Sequence, residues 1–228
     1  RYMSLPVTDT SAGESTRRID TLIIGSGFAG LGAAIKLSQA GKEFLVLERA
    51  AEVGGTWRDN TYPGAACDVP SNLYSYSFAL NPGWTRSFSP QPEIQAYITS
   101  VADKYEVRRR TVFGCDVQDA RWNGDTHRWD VRTTRGDFSA KNLVSAVGAL
   151  CEPSLPDIAG IDRFGGEIFH SARWNHDADL TGKRVAVIGT GASAIQIVPA
   201  IAGTVAHLDV YQRTAPWVLP RADRDYTK

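Results

Sequence analysis

Charge of one sign is what this chain of 228 residues lacks: 25 basic and 25 acidic side chains cancel to a formal net charge of zero. No polyanion partner, nucleic acid included, is implied by such a balance. Sulfur is scarce too. The three cysteines, Cys67, Cys115 and Cys151, form no CxxC, which leaves a dithiol redox centre without its pair and fits buried thiols in a reducing compartment. No apolar run approaches the length of about 18 residues that a membrane helix needs, and no signal-peptide pattern is present, so the expectation is a soluble cytoplasmic protein with no membrane partner. The length allows a buried core and one to two domains.

What is present is organised around Ile19 to Glu48. Thr21 to Ile24 is a short apolar run of the kind a parallel sheet buries on both faces, and it breaks at Gly25-Ser26-Gly27-Phe28-Ala29-Gly30, a GxGxxG. Leu31, Ala34, Ile35 and Ser38 follow at helical spacing with Gly41 as a C-cap, and Phe44 to Leu47 is the next strand. A helix that starts at such glycines aims N–H groups and a positive dipole at a pyrophosphate. Glycine turns also serve plain chain reversal, so the spacing of the acid matters. Glu48 stands 23 positions after Gly25, near the distance at which a carboxylate meets a ribose hydroxyl.

Gly54-Gly55-Thr56-Trp57 and Tyr62-Pro63-Gly64 to Ser71 make a long irregular stretch that reads as a ligand-covering loop. Trp57 and Tyr62 have two readings there, stacking on a cofactor ring or filling core. Ile94, Tyr97, Ile98 and Val101 form the apolar stripe of a surface helix begun near Pro92. Arg108-Arg109-Arg110 reads as a solvated corner before the strand-like Thr111-Val112-Phe113. Val117 to Trp122, Arg128 to Thr134 and Asn142 to Val147, with turns at Asn123-Gly124 and Gly136, read as a β-meander.

A second unit repeats the first. Arg184 to Ile188 is a strand, Gly189-Thr190-Gly191-Ala192-Ser193-Ala194 is a GxGxxA, Ile195 to Ile201 is helix and Leu208 to Gln212 is strand. Gln212 stands 23 positions after Gly189, where the first unit has its acid. A 2′-phosphate is repelled by a carboxylate at that position, and Arg213 beside it offers a charge-assisted pair. The first site therefore suits an adenosine with a free 2′-hydroxyl and the second suits NADP. Arg49 follows Glu48 just as Arg213 follows Gln212, so the argument rests on the lost acid. The fold class expected is α/β, with two dinucleotide-binding, Rossmann-like units, the first carrying the meander as an insertion and the second incomplete.

Between the units lies Phe164-Gly165-Gly166-Glu167-Ile168-Phe169-His170-Ser171-Ala172-Arg173-Trp174-Asn175. Here the chain resembles the type I Baeyer–Villiger monooxygenases, whose fingerprint FxGxxxHxxxW is met by Phe164, Gly166, His170 and Trp174. Asn175 replaces the Pro or Asp that closes the fingerprint. Gly55-Thr56-Trp57, Tyr62-Pro63-Gly64, Cys67-Asp68 and Gln212-Arg213-Thr214 are similar to family segments as well, while Ala66 stands where many members have arginine.

The resemblance implies FAD in the first site and NADPH in the second. Hydride passes to the flavin, and a C4a-peroxyflavin then attacks a ketone to give an ester or lactone. It implies a flavin site drawing on Gly25, Gly27, Phe28, Ala29, Gly30, Glu48, Arg49, Gly55, Thr56, Trp57, Asp68, Tyr74 and Val117. The NADP site draws on Gly189, Thr190, Gly191, Ala192, Ser193, Gln196, Arg213 and Thr214. Asp68, His170 and Trp174 take the catalytic positions, and no metal is implied. The layout expected is a disordered lead-in over 1–18, an FAD domain over 19–152 that a later segment completes, a linker over 153–182 and the start of an NADP domain over 183–228. The sequence stops at Lys228, so an amino-terminal piece is expected, with a catalytic arginine and a partner segment of the same protein beyond it. Two other readings stay open: oxygenation of an amine nitrogen or sulfide, and a non-catalytic dinucleotide-binding piece.

Overall fold

The computed structural model describes residues 16–226, which fall into two compact units, one holding the described residues up to 52 together with 106–146 and the other holding 53–105 together with the described residues from 147 onward. Most of the expected lead-in lies outside the described residues.

The first unit is built on one six-stranded sheet. Its strands are β1 (Arg17–Ile24), β2 (Phe44–Leu47), β3 (Thr111–Val112), β4 (Val117–Asn123), β5 (Arg128–Thr133) and β6 (Gly136–Ser145), in the order β3-β2-β1-β6-β5-β4. The four strands from β3 to β6 run parallel, and β5 and β4 continue the sheet antiparallel as the meander. Helix α1 (Phe28–Gln39) crosses from β1 to β2. All four residues of β2 are buried, as a strand covered on both faces requires. Leu22, Leu45 and Leu47 share a core with Ile19, Val131, Phe138 and Ala140.

Two boundaries differ from expectation. Strand β1 takes in Arg17 and Arg18, because β6 reaches back far enough to pair them with Phe138 and Ser139. Strand β6 starts at Gly136 instead of Asn142, since Thr133 Oγ1 accepts from Arg135 N (2.9 Å) and donates to the Gly136 carbonyl (2.7 Å), closing the turn early. Arg128 joins the sheet's two parts: its guanidinium donates to the carbonyls of Ile19 and Ser139, both at 2.7 Å. The arginine corner is spent locally, with Arg108 on Glu52 at 2.6 Å, Arg109 on Glu106 at 3.0 Å and Arg110 over the Phe44 ring.

The second unit holds α2 (Thr56–Asp59), α3 (Gln91–Lys104), and a parallel pair β7 (Arg184–Ile188) and β8 (His207–Tyr211) joined by α4 (Ala194–Ile201). Ile94, Tyr97, Ile98 and Val101 are buried, so the apolar stripe is the packed face of α3. Aromatics fold over it: Trp84 lies 5.5 Å from the Tyr97 ring, and the Tyr97 hydroxyl donates to the Ala79 carbonyl at 2.7 Å. Among the described residues no helix is long and apolar enough to cross a membrane.

Candidate dinucleotide-binding sites

Between the end of β1 and the start of α1 only Gly25, Ser26 and Gly27 make the turn. The Gly25 N–H donates to the Leu47 carbonyl at 2.8 Å, tying the turn to the end of β2. A Cβ on Gly30 would sit 1.9 Å from the Gly25 carbonyl oxygen. Backbone cannot swing aside as a side chain can, so this position demands glycine. Gly27 caps α1 with no side-chain bond, and the first turn holds no acidic residue. The positive end of the helix is therefore not neutralised by an acid of its own, which is what a pyrophosphate requires.

Glu48 is brought to this turn, as its spacing anticipates. It is only 3% exposed, and one carboxylate oxygen accepts from Ser26 N (2.9 Å) and Ser26 Oγ (2.5 Å) while the other accepts from Ala50 N (2.9 Å). Phe28 and Ala29 open α1, Arg49 is exposed beside the acid, and Val117 packs against the core at the foot of the meander.

The second turn is longer. Gly189, Thr190, Gly191, Ala192 and Ser193 separate β7 from α4, and Gly189 N–H donates to the Tyr211 carbonyl at 2.9 Å. Ala194 occupies the place that Gly30 takes in the first motif. Space around Gly191 is open, with nothing within 4 Å of a Cβ built there, which leaves room for a phosphate to approach the backbone. Ser193 caps α4 without a side-chain bond. Thr190 Oγ1 donates to the Thr214 carbonyl at 3.4 Å, and Gln212, Arg213 and Thr214 are exposed just after β8. Both turns thus have the backbone geometry that fits a dinucleotide.

The loop residues of the second unit gather into a cluster. Gly55 caps α2, which carries Thr56 and Trp57, and the Trp57 indole N–H donates to the Tyr74 hydroxyl at 2.9 Å with the rings edge-on. Burial pushes the Tyr74 hydroxyl pKa up. Cys67 is buried, which raises its thiol pKa, and Arg221 donates to its carbonyl at 3.2 Å. Asp68 next to it is exposed, and among the described residues no ion pair reaches it. An open cavity of about 490 Å³ lies alongside, lined by Tyr62, Ala66, Arg86, Phe88, Arg221 and Asp223 among others. The Tyr62 hydroxyl donates to Gln196 Oε1 at 3.2 Å.

His170 and Trp174 frame a single turn. His170 Nδ1 accepts from Ala172 N at 3.0 Å, which puts the neutral ring's proton on Nε2, and Trp174 packs edge-on against Phe169. No hydrogen bond or ring contact joins either to Asp68 among the described residues. Sequence reasoning missed Asp223, which receives Arg86 Nε (3.0 Å), Ser87 Oγ (3.0 Å) and Phe88 N (3.2 Å).

Residues 22–227 match the family described as pyridine nucleotide-disulphide oxidoreductase. The chain belongs to that family. It is 57% identical over 203 residues to a Baeyer–Villiger monooxygenase of Streptomyces coelicolor, covering 89% of this chain and 39% of that one. Its fold matches ε-caprolactone-bound cyclohexanone monooxygenase with a TM-score of 0.89 at 38% identity, over 93% of this chain and 43% of that one. It matches OTEMO in complex with FAD and NADP with a TM-score of 0.86 at 40% identity, over 92% and 41%. The chain thus spans about two fifths of the relatives' length, 39% and 42% for two of them. The family name evokes disulfide chemistry. Here Cys67 and Cys115 are both buried outside any disulfide, with thiol pKa values raised by burial, the reverse of a reactive thiolate.

Proposed function

We propose that this chain binds FAD at the first glycine turn and NADPH at the second, within a cytoplasmic monooxygenase that inserts an oxygen atom from O₂ beside a ketone carbonyl, giving an ester or lactone. The observation that carries the reading is the pair of turns closed by the same backbone bond, Gly25 to Leu47 and Gly189 to Tyr211, with an acid after only the first. Likeness to a named Baeyer–Villiger monooxygenase and to a fold solved with FAD and NADP supports the choice of cofactors and reaction.

In this reading bound flavin supplies hydride acceptance from the nicotinamide and activation of oxygen. The glycine turn and the start of α1, from Gly25 to Gly30, would receive the FAD pyrophosphate, Glu48 and Arg49 would take its ribose end, and Val117 would contribute to the same site. Gly55, Thr56, Trp57 and Tyr74 are the further residues assigned to the flavin in this reading, and the bond from Trp57 to Tyr74 orients those two side chains against each other. Gly189 to Ser193 receive the nicotinamide nucleotide's pyrophosphate, and Arg213 with Thr214 the 2′-phosphate. Asp68 is the acid at the reacting centre, while His170 and Trp174 belong to the connection, over 153–182, between flavin binding in 19–152 and NADP binding from 183 onward.

Two experiments test this. Gly27→Val puts a branched side chain where the pyrophosphate passes, so the purified folded variant should lose its yellow flavin; retained FAD would refute the first assignment. A protein carrying this chain, given FAD, NADPH, oxygen, a ketone and a thioether, should form ester as NADPH is consumed. Sulfoxide without ester would point to heteroatom oxygenation instead.

A further inference from the structure

Gln196 lies in the first turn of α4, on the helix whose N-terminus would take the nicotinamide nucleotide. Its side-chain amide makes three hydrogen bonds to the loop at 62–66. Nε2 donates to the Ala66 carbonyl at 3.0 Å, and Oε1 accepts from Ala66 N and from the Tyr62 hydroxyl, both at 3.2 Å. The amide thus reads the Ala66 backbone at both ends, as a neighbouring strand would. The main chains are equally close. Gly64 has φ +80°, and a Cβ there would lie 2.7 Å from the Gln196 carbonyl oxygen and 3.3 Å from Ala200 Cβ. Residues 62–66 therefore cannot slide along α4 without breaking three hydrogen bonds or forcing backbone into backbone.

Two positions beyond Ala66 stands Asp68. The chain between them is pinned on its other side as well, since Cys67 N donates to the Ser89 carbonyl at 2.9 Å and Arg221 to the Cys67 carbonyl. The first turn of α4 is thus linked to the Asp68 backbone through Ala66, two positions away.

We propose that Gln196, which the family resemblance set among the NADP-site residues, serves there as a positioning residue that transmits occupancy of the second nucleotide site to the loop carrying Asp68 through its bonds to Ala66 and Tyr62. The proposal rests on the reading of residues 189–194 as the NADP site. Nucleotide seated on the first turn of α4 steadies that turn, and the Gln196 amide steadies Ala66 with it, so Asp68 is held more firmly when the nicotinamide nucleotide is present. Such coupling would keep the acid ordered at the moment hydride is available.

Hydrogen exchange read by mass spectrometry, on the purified chain with and without NADP⁺, tests this without recourse to turnover. In the unsubstituted chain NADP⁺ should slow exchange both at 189–196 and at 62–68. In Gln196→Leu at saturating NADP⁺, protection at 189–196 should persist while protection at 62–68 disappears. Gln196→Glu keeps the length and sets a carboxylate against the Ala66 carbonyl, so it should lose the same loop protection and serves if the leucine variant does not fold. Loop protection surviving in either folded variant overturns the coupling. An unsubstituted chain protected at 189–196 but not at 62–68 overturns the coupling alone, whereas absence of protection at 189–196 overturns the NADP reading and the coupling with it.

Discussion

Gly25 and Gly189 each donate to the last residue of the neighbouring strand, Leu47 at 2.8 Å and Tyr211 at 2.9 Å, but the two turns are held in different ways. Around the first, Glu48 grips Ser26 through both its N–H and its hydroxyl, Gly30 presses onto the Gly25 carbonyl, and β2 is wholly buried. Around the second there is no acid, a real Cβ is accommodated at Ala194, and the helix begins two residues later relative to its first glycine. Strand β7 alternates between exposed and half-buried residues. One motif, used twice, is thus a rigid cradle in the first unit and a looser one in the second. The strand-end acid of the rigid version locks the serine between the glycines.

The sharpest way to break this contrast is steric. Gly30→Ala should destabilise the first unit by about 3 kcal/mol, since the new methyl meets backbone, while Ala194→Gly should cost about 1 kcal/mol at most. Denaturant midpoints measure both, and equal losses would show that the turns do not differ in tightness. Next is charge. A charged hydrogen bond is worth about 1.5–3 kcal/mol, so Arg213→Ala should weaken NADPH by roughly ten- to a hundredfold in equilibrium titration and leave NADH nearly unchanged. Equal losses for the two coenzymes would make Arg213 structural. Glu48→Gln should cost about 1.5 kcal/mol of stability even without FAD, because the Ser26 bonds lose their ionic partner. A loss seen only with FAD bound would confine the acid to ribose binding.

The smallest effect concerns acid. Burial raises the Asp223 carboxyl, but hydrogen bonds from Arg86, Ser87 and Phe88 outweigh it and hold the pKa below the ordinary aspartate value. A lowered folded pKa contributes stability that is complete above the unfolded value and lost as pH falls through the folded one. Asp223→Asn should therefore flatten the acid-side slope of second-unit stability, as followed by exchange at residues 85–88, and leave the first unit's profile unchanged.

Much of this was legible because strand, glycine turn and helix each leave a local mark. Strands β2 and β7 begin and end where the apolar runs do, and the 23-residue spacing brings Glu48 to the turn. Strand β6 was read too short because Asp137, Ser139 and Lys141 interrupt its apolar pattern, and its partner Arg128 satisfies Ser139 from another strand. The loop was harder still. Gln196 meets Ala66 across 130 positions and Asp223 meets Arg86 across 137, through side chains that look like surface polar residues in the sequence. Bonds of that kind carry no periodicity, so nothing local announces them.

The parallel pairing of β1 with β6 has a consequence for how the protein is made. Strand β6 follows β1 by about 110 residues, so at a synthesis rate of about 5–20 residues per second β1 emerges on the order of ten seconds before its partner. Throughout that interval one edge of β1 is an unpaired ladder beside buried-type residues such as Leu22 and Ile23. The nascent chain is then most open to mispairing, and production at lower temperature or with added chaperone should raise the yield of folded protein.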